Sequence, residues 1–462
     1  MGKLNPYMFR EYDIRGRETE DELNETSVSA IARAYGTFLV RRGIKKAVVG
    51  HDYRRTADEF YKVVVDGLVR TGIEVIGLGL SMTPQMYWAQ YHLKSEGGVM
   101  ITASHNPAGW NGLKLALGYS YTIIGDELQE IRQLADSEDF ETGEGSLKEE
   151  NIKAEYQMDL LSRVKLSRKM KVLVNTGNAT CSFFSPDIFR AMGCEVVEHN
   201  TNPDYNFPNY IPNPANVDMM NDTGKKTVEV GADIGLALDA DGDRLGIVDE
   251  KGEVIWPDRW FSLLARQVLE VEPGASIVFD VKVSEALIED IAAHGGKPVM
   301  WKTGHAYIKQ KMKEVNSPVA GEQSGHIYYS HGYYGFDDAN YAALRMLDYL
   351  SKGDKPLSSI ISSVHKYYTT PAYHAHADDA LKYGVVEKLT EEFKAEGNRV
   401  IDINGARVYM DDGWGLIRAS SNLPALVLRF EAKTEEGVKK IESEFRKKLE
   451  KFTEVSNKWE SA

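Results

Sequence analysis

The chain has 462 residues, 42% apolar and 27% charged, with 15 Pro and 40 Gly; that is roughly three domain-lengths, and the composition excludes disordered and fibrous classes. Its 55 basic residues against 69 acidic ones give a formal charge of −14, which argues against nucleic acid or an anionic membrane as partner and requires a local set of cations for any anionic ligand. No apolar run approaches the roughly 18 to 20 residues that span a bilayer, and MGKLNPYMFREYDIRG lacks a signal-peptide core, so a cytoplasmic location is expected.

In chain order, a pattern of buried-type strands and helices recurs three times. KKAVVGHD (45–52) reads as a strand, EFYKVVVDGLVRTG as a helix stopped at Gly72, IEVIGLG as a second strand and GGVMITASHNP as a third. The second copy runs through MKVLVNTG, the helical FFSPDIFRAMG, CEVVEHN and GADIGLALDADGD. The third has ASIVFDVK, SEALIEDIAAHG, KPVMWKTGH and SPVAGEQSGH. From about 369, RVIDINGARVYM, GWGLIRAS and ALVLRFEA alternate like antiparallel strands, and TEEGVKKIESEFRKKLEKF reads as an amphipathic helix. Stretches near 139–155, 250–258 and 366–372 read as connections. The expected fold class is α/β: three similar α/β domains with mainly parallel, mixed sheets over 1–152, 153–255 and 256–368, and a C-terminal α+β domain over 369–462. Cys181 and Cys194 lie in no metal-like spacing, and a reducing compartment fits.

Parallel sheets gather ligands at the carboxyl ends of their strands. Three loops fall at that position: TASHNP (102–107), DADGDR (239–244) and GEQSGH (321–326). Asp239, Asp241 and Asp243 alternate with small residues, a spacing expected to put three carboxylates on one side of an extended segment. Such crowding calls for a hard cation such as Mg2+; a solvated acidic turn is the alternative. A calcium loop is disfavoured because, although Glu250 is twelfth from Asp239, Arg244 stands where Gly is needed. Ser104 is expected to be exposed at a loop tip, with His105 pointing elsewhere rather than forming a dyad. Lys114, ten residues on, is within reach of the same site, where an amine partly desolvated near a metal can exchange protons near neutral pH; a solvated surface lysine is the alternative.

Glu322, Ser324 and His326 alternate as a set suited to sugar hydroxyls, with a polar loop and a capping Ser as the alternative, and Arg418, Ser420, Ser421, Asn422 and Arg429 around a turn have the makings of a phosphate cradle, with an exposed hairpin turn as the alternative. TGKKT around Lys225 fails as a Walker motif, and His374 and His376 read as exposed strand residues.

Ser104 in TASHNP, DADGDR, GEQSGH and a C-terminal R-x-S turn, in that order, together with FREYDIRG (9–16) and KTGH (302–305), resemble the α-D-phosphohexomutase superfamily over essentially the whole chain. The likeness is closest to bacterial phosphomannomutase/phosphoglucomutase enzymes, while GEQSGH also occurs among phosphoglucosamine mutases. The resemblance implies four domains around a central cleft and interconversion of hexose 1-phosphate and hexose 6-phosphate through a phosphoserine and a hexose 1,6-bisphosphate. A phosphoglucosamine mutase or a metal-dependent phosphatase is the alternative. By resemblance, Ser104 is the phosphorylated nucleophile and binds Mg2+ with Asp239, Asp241 and Asp243. Arg15 and Lys114 assist proton transfer, with His105 and Arg244 beside them. Glu322 and Ser324 take the sugar hydroxyls, Lys302, His305 and His326 line the cleft, and Arg418, Ser420, Ser421 and Asn422 hold the non-transferring phosphate. Two departures stand out: Ala240 replaces a frequent Gly, and RASSNLP gives Asn422 where a Thr hydroxyl is usual. A phosphorylated hexose, no nucleic acid or membrane, a monomer or homodimer, and closure of the fourth domain against water complete the expectation.

Overall fold

Val48, Val49, Val75, Ile76, Val99 and Ile101 are all buried, the mark of strands covered on both faces. Residues 3–410, 412–421 and 423–461 are described by a computed structural model. The chain divides into two compact units, one made of the residues up to Pro257 with Ser324–Ile360, the other of Asp258–Gln323 with Ile361 onward. Among the described residues no helix is long and apolar enough to cross a membrane.

In the first unit, a mixed sheet runs in the order Ile14–Arg17, Trp110–Leu117, Gly97–Ile101, Lys46–His51, Glu74–Leu80, Ser146–Glu149, with Tyr121–Thr122 paired to Trp110–Leu117. Its centre is parallel, and Trp110–Leu117 and Ile14–Arg17 turn it antiparallel. A second sheet in this unit places Val254–Ile255, Leu245–Asp249, Ile234–Leu238, Lys171–Asn175 and Glu195–His199 side by side. In the second unit, Ser276–Asp280 pairs in parallel with Lys297–Trp301 and Val319–Gly321. The C-terminal sheet there is antiparallel, built on Ala406–Met410, Gly413–Ala419, Ala425–Ala432 and Tyr373–Ala377 and backed by helices Lys382–Ala395 and Glu435–Leu449 through Leu389, Phe393, Phe430 and Phe445.

The strands read from the sequence are present, but the three stretches read as connections carry structure. Ser146–Glu149 is a strand with four exposed side chains, so no apolar alternation betrays it. Helices begin at Lys153 and Pro257, and Tyr368–Thr369 is a short exposed strand. The longest helix, Glu25–Arg41, escaped the strand-centred reading, although Asn24 and Ser27 cap it reciprocally. It docks through Tyr35, whose hydroxyl donates to Ala116 O at 2.6 Å and accepts from Gly98 N at 2.9 Å. Tyr35→Phe leaves these buried groups short of a partner and is expected to cost about 1 to 3 kcal/mol, lowering the thermal midpoint by a few degrees; an unchanged melting curve contradicts this.

Candidate active site

Adjacent strands bring the first group of side chains to one sheet end. Met100, on the strand that leads into the Ser104 loop, pairs across with Lys114, and Arg15 on the edge strand pairs with Gly112. A Cβ at Gly112 would lie 2.3 Å from Ile14 O and 2.8 Å from Thr102 O, so the close approach requires glycine there. Ser104 follows in the left-handed region (φ 49°), its N–H donating to Thr102 Oγ1 at 2.8 Å. Two expectations are corrected by this bend. Ser104 is 1% exposed rather than held out at a tip, and its Oγ lies 3.1 Å from Nδ1 of His105, which does not point away. Burial, then Arg244 and Arg15, push the His105 pKa well below the usual imidazole range, so the ring is neutral.

The aspartates converge for a reason other than extended alternation. Gly242 takes φ 80° and the loop turns back, so that Asp239 Oδ1 accepts from the amides of Gly242 (3.0 Å), Asp243 (3.1 Å) and Arg244 (3.1 Å). One carboxylate oxygen from each of Asp239, Asp241 and Asp243 lies within 4.8 Å of the others. Asp239 Oδ2, Asp241 Oδ1 and Asp243 Oδ1 are buried with no hydrogen-bond partner among the described residues. Three buried carboxylate oxygens without hydrogen bonds are costly unless a proton or a cation meets them, and an all-oxygen set of this kind fits Mg2+.

Lys114 is the protein's own cation at this cage. Its Nζ donates to Asp241 Oδ2 at 2.7 Å and Asp243 Oδ2 at 2.6 Å, while Thr83 Oγ1 donates to Asp241 Oδ2 at 2.6 Å. Burial opposes its charge, but Asp241, Asp243 and Asp13 outweigh burial and hold its pKa well above the ordinary lysine value. The amine is held as an ammonium while it bridges these carboxylates. Burial, with Asp243 and Asp241, pushes Asp239 well up. Burial also works to raise Asp243, but Lys114 and His326 overcome it and hold that carboxyl low.

Residues 322–326 form a turn at Gly325 (φ 97°) rather than an alternating strand, so Glu322, Ser324 and His326 are not aligned by alternation. His326 Nε2 accepts from Arg244 Nε at 2.9 Å, and its Nδ1 lies 2.8 Å from Asp337 Oδ2 and 3.6 Å from Asp243 Oδ1. Glu250 accepts from Ser358 N at 3.1 Å and takes no part in the aspartate loop.

Within the second unit, Glu322 Oε2 accepts from Gly304 N at 2.9 Å, which draws the carboxylate to the KTGH segment where the buried His305 starts helix His305–Val315. Asp280 ties the same segment together, accepting from Thr303 Oγ1 at 2.8 Å and Gln323 N at 3.0 Å. Lys302 Nζ lies 5.5 Å from the Tyr307 ring centre, and Ser324, in the first unit, is half-buried. At the C-terminal turn, Arg418 Nη2 donates to Ser421 Oγ at 3.1 Å, and Lys382 Nζ donates to Ser420 O at 2.6 Å. Asn422 lies outside the described residues. Arg429 does not join the turn: its guanidinium donates to Asp258 Oδ2 at 2.8 Å and to Lys282 O, making it an internal strut. His374 is half-buried rather than exposed, and burial, then Lys282 and Arg418, lower its pKa.

Sequence reasoning missed Thr83, Asp337, Asp52 and Arg54. A signal existed for the last two, because HDYRRT follows strand Lys46–His51 at its carboxyl end, where the recognised loops also sit.

Family descriptions match nearly the whole chain: phosphoglucomutase/phosphomannomutase alpha/beta/alpha domain I over residues 7–142, domain II over 150–252, domain III over 256–368, and the C-terminal domain over 377–448. The chain belongs to the phosphoglucomutase/phosphomannomutase family. A phosphomannomutase/phosphoglucomutase of Pseudomonas aeruginosa is 38% identical over 96% of this chain and 95% of its own. A phosphoglucomutase of Neisseria gonorrhoeae is 36% identical over 97% and 98%. The crystal structure of a phosphoglucomutase/phosphomannomutase family protein from Burkholderia thailandensis superposes with a TM-score of 0.91 at 35% identity, covering 97% of this chain and 98% of that one.

For this member of the phosphoglucomutase/phosphomannomutase family, the raised pKa of Asp239 has a consequence for metal affinity. A cation that takes the Asp239 carboxylate would have to displace the proton that burial and the neighbouring carboxylates favour there, so its affinity is expected to rise with pH and its binding to release protons. Titration calorimetry in buffers of different ionisation enthalpy is expected to show an apparent heat that varies with the buffer; an invariant heat contradicts it.

Proposed function

We propose that this enzyme of the phosphohexomutase class interconverts hexose 1-phosphate and hexose 6-phosphate, of mannose, glucose or both, through a phosphoserine at Ser104 and a hexose 1,6-bisphosphate. The observation that carries the reading is the cage of three buried aspartates, each with an unpartnered oxygen, in the same unit as the Ser104 loop. His105, bonded to Ser104 Oγ, senses Arg244, Arg15, His326 and Lys114 electrostatically, which supports a common site for the hydroxyl and the cage. Asp239, Asp241 and Asp243, with an oxygen on Ser104, would hold Mg2+, which when bound neutralises charge on the phosphoryl oxygens.

The chain's own groups do the rest. Lys114, Arg15 and Arg244 supply fixed positive charge around a phosphoester that carries nearly two negative charges. The substrate's hydroxyl oxygen attacks the phosphorus on Ser104: one O–P bond forms at the sugar, the Oγ–P bond breaks, and one proton passes from the sugar hydroxyl to Oγ. Neutral His105 stands where it can deliver that proton and take it back in the reverse half-reaction. The bisphosphate then turns end over end and returns its other phosphoryl group to Ser104.

Arg418, Ser420, Ser421 and Asn422 are assigned to the non-transferring phosphate. Glu322 and Ser324 are assigned to equatorial hydroxyls read in either orientation, with Lys302, His305 and His326 around them. The parts 1–152, 153–255, 256–368 and 369–462 are assigned as four domains, each carrying one of these loops in its own sequence. The enzyme is assigned to the cytoplasm, as a monomer or homodimer.

A coupled assay of mannose, glucose and glucosamine 1-phosphates with Mg2+ and a trace of hexose 1,6-bisphosphate tests this reading. Turnover of the mannose ester, the glucose ester or both is expected. Ser104→Ala is expected to reduce it more than about a thousandfold while leaving the thermal midpoint in place. Stoichiometric inorganic phosphate without isomerisation overturns the mutase assignment, and turnover of the glucosamine ester alone overturns the sugar assignment.

A further inference from the structure

We infer that Arg54 is a positioning residue for phosphoryl transfer: it fixes the backbone of the Ser104 loop, and with it the direction of the Ser104 hydroxyl, without touching substrate. The inference rests on the reading of Ser104 as the phosphoryl carrier.

The Arg54 guanidinium is buried, and its five N–H groups meet five protein oxygens. Nη2 donates to Ser104 O at 2.5 Å and Asn106 O at 2.7 Å, Nη1 donates to Pro107 O and Trp110 O, both at 3.0 Å, and Nε donates to Asp52 Oδ2 at 3.1 Å. Four carbonyls spread over seven residues of one loop thus converge on a single planar cation. With its donors engaged in this way, Arg54 has none left for a phosphate.

Asp52 aims the group. Its own N–H donates to Ile101 O at 3.0 Å, so the Asp52–Arg54 pair is anchored to the strand that ends just before Ser104. The Phe207 ring lies 5.3 Å from the guanidinium carbon. On the other side of the loop, Arg15 Nη1 donates to Asn106 Oδ1 at 2.7 Å and approaches Ala103 O at 3.4 Å. Ser104 is held in a left-handed conformation that serine rarely adopts. Its N–H is taken by Thr102 and its carbonyl by Arg54, so both sides of the residue are pinned and Cβ can leave Cα in one direction only. A misplacement of about 1 Å at a reacting atom costs about a hundredfold in rate.

Lysine at 54 keeps the charge but offers one nitrogen, which cannot serve carbonyls from Ser104 to Trp110. Arg54→Lys is expected to lower kcat about a hundredfold with KM within about twofold, and to slow the transfer of labelled phosphate from hexose 1,6-bisphosphate to Ser104 in parallel. Asp52→Asn, which keeps the guanidinium but not its aiming charge, is expected to give a smaller loss of kcat in the same direction, and it carries the test if Arg54→Lys fails to fold. Guanidinium ion is expected to restore part of the label transfer in Arg54→Ala. Arg55→Lys serves as control, since Arg55 is exposed and paired with Glu18. A lowered melting temperature with wild-type kcat per folded molecule reduces Arg54 to a structural residue and overturns the inference, as does a raised KM at unchanged kcat. If the wild-type protein itself takes no label at Ser104, the carrier assignment fails instead.

Discussion

Oδ1 of Asp239 accepts three successive backbone amides, and that one bonded oxygen turns the chain sharply enough for two further aspartates to face the same point. Alternation along a strand would separate side chains by roughly 6 to 7 Å along the chain, too far for a shared ion. The turn brings one oxygen of each within 4.8 Å of the others. It also uses up one Asp239 oxygen on neutral donors, so that the other, with one from Asp241 and one from Asp243, remains for a cation. Leu236, Leu238, Leu245 and Ile247 bury the strands on either side and hold the turn at a sheet end.

A net-negative chain that handles phosphate must gather positive charge locally. Arg15, Arg54, Lys114 and Arg244 belong to the same unit as the aspartate cage, and their tasks differ. Lys114 balances the carboxylates directly, while Arg244 is oriented by His326, itself held by Asp337. Arg15 shares its guanidinium between Asp13 and the serine loop, and Arg54 is committed to backbone carbonyls. These groups are charged for different reasons, and only some of that charge can face a phosphoester. Counting basic residues in a sequence does not distinguish them.

Local order was legible in the sequence, and long-range pairing was not. DADGDR could be read because its flanking apolar strands, its carboxylates and its turn all lie within about a dozen residues. The α/β grammar of the first three parts and the antiparallel end of the chain were equally local. The expected exposure of Ser104 fails because burial is a property of what packs around a loop, and Arg54 and Arg15, which bond to it, are distant in sequence. The alternation expected through Glu322, Ser324 and His326 fails at Gly325, whose positive φ breaks it. Arg429 was grouped with its neighbours in sequence, although its partners, Asp258 and Lys282, lie about 150 residues or more away. The Ser146–Glu149 strand left no trace because an exposed edge strand carries no buried face to set a period.

The central claim is that the three aspartates hold one divalent cation against a phosphoester on Ser104. Electron–nuclear double resonance on Mn2+ bound to the Ser104-phosphorylated protein addresses it directly. A phosphorus-31 hyperfine coupling large enough for a phosphoryl oxygen in the metal's inner sphere is expected, and it should vanish in Asp241→Asn. Bound Mn2+ with no phosphorus coupling, or a coupling that survives that substitution unchanged, would contradict the claim.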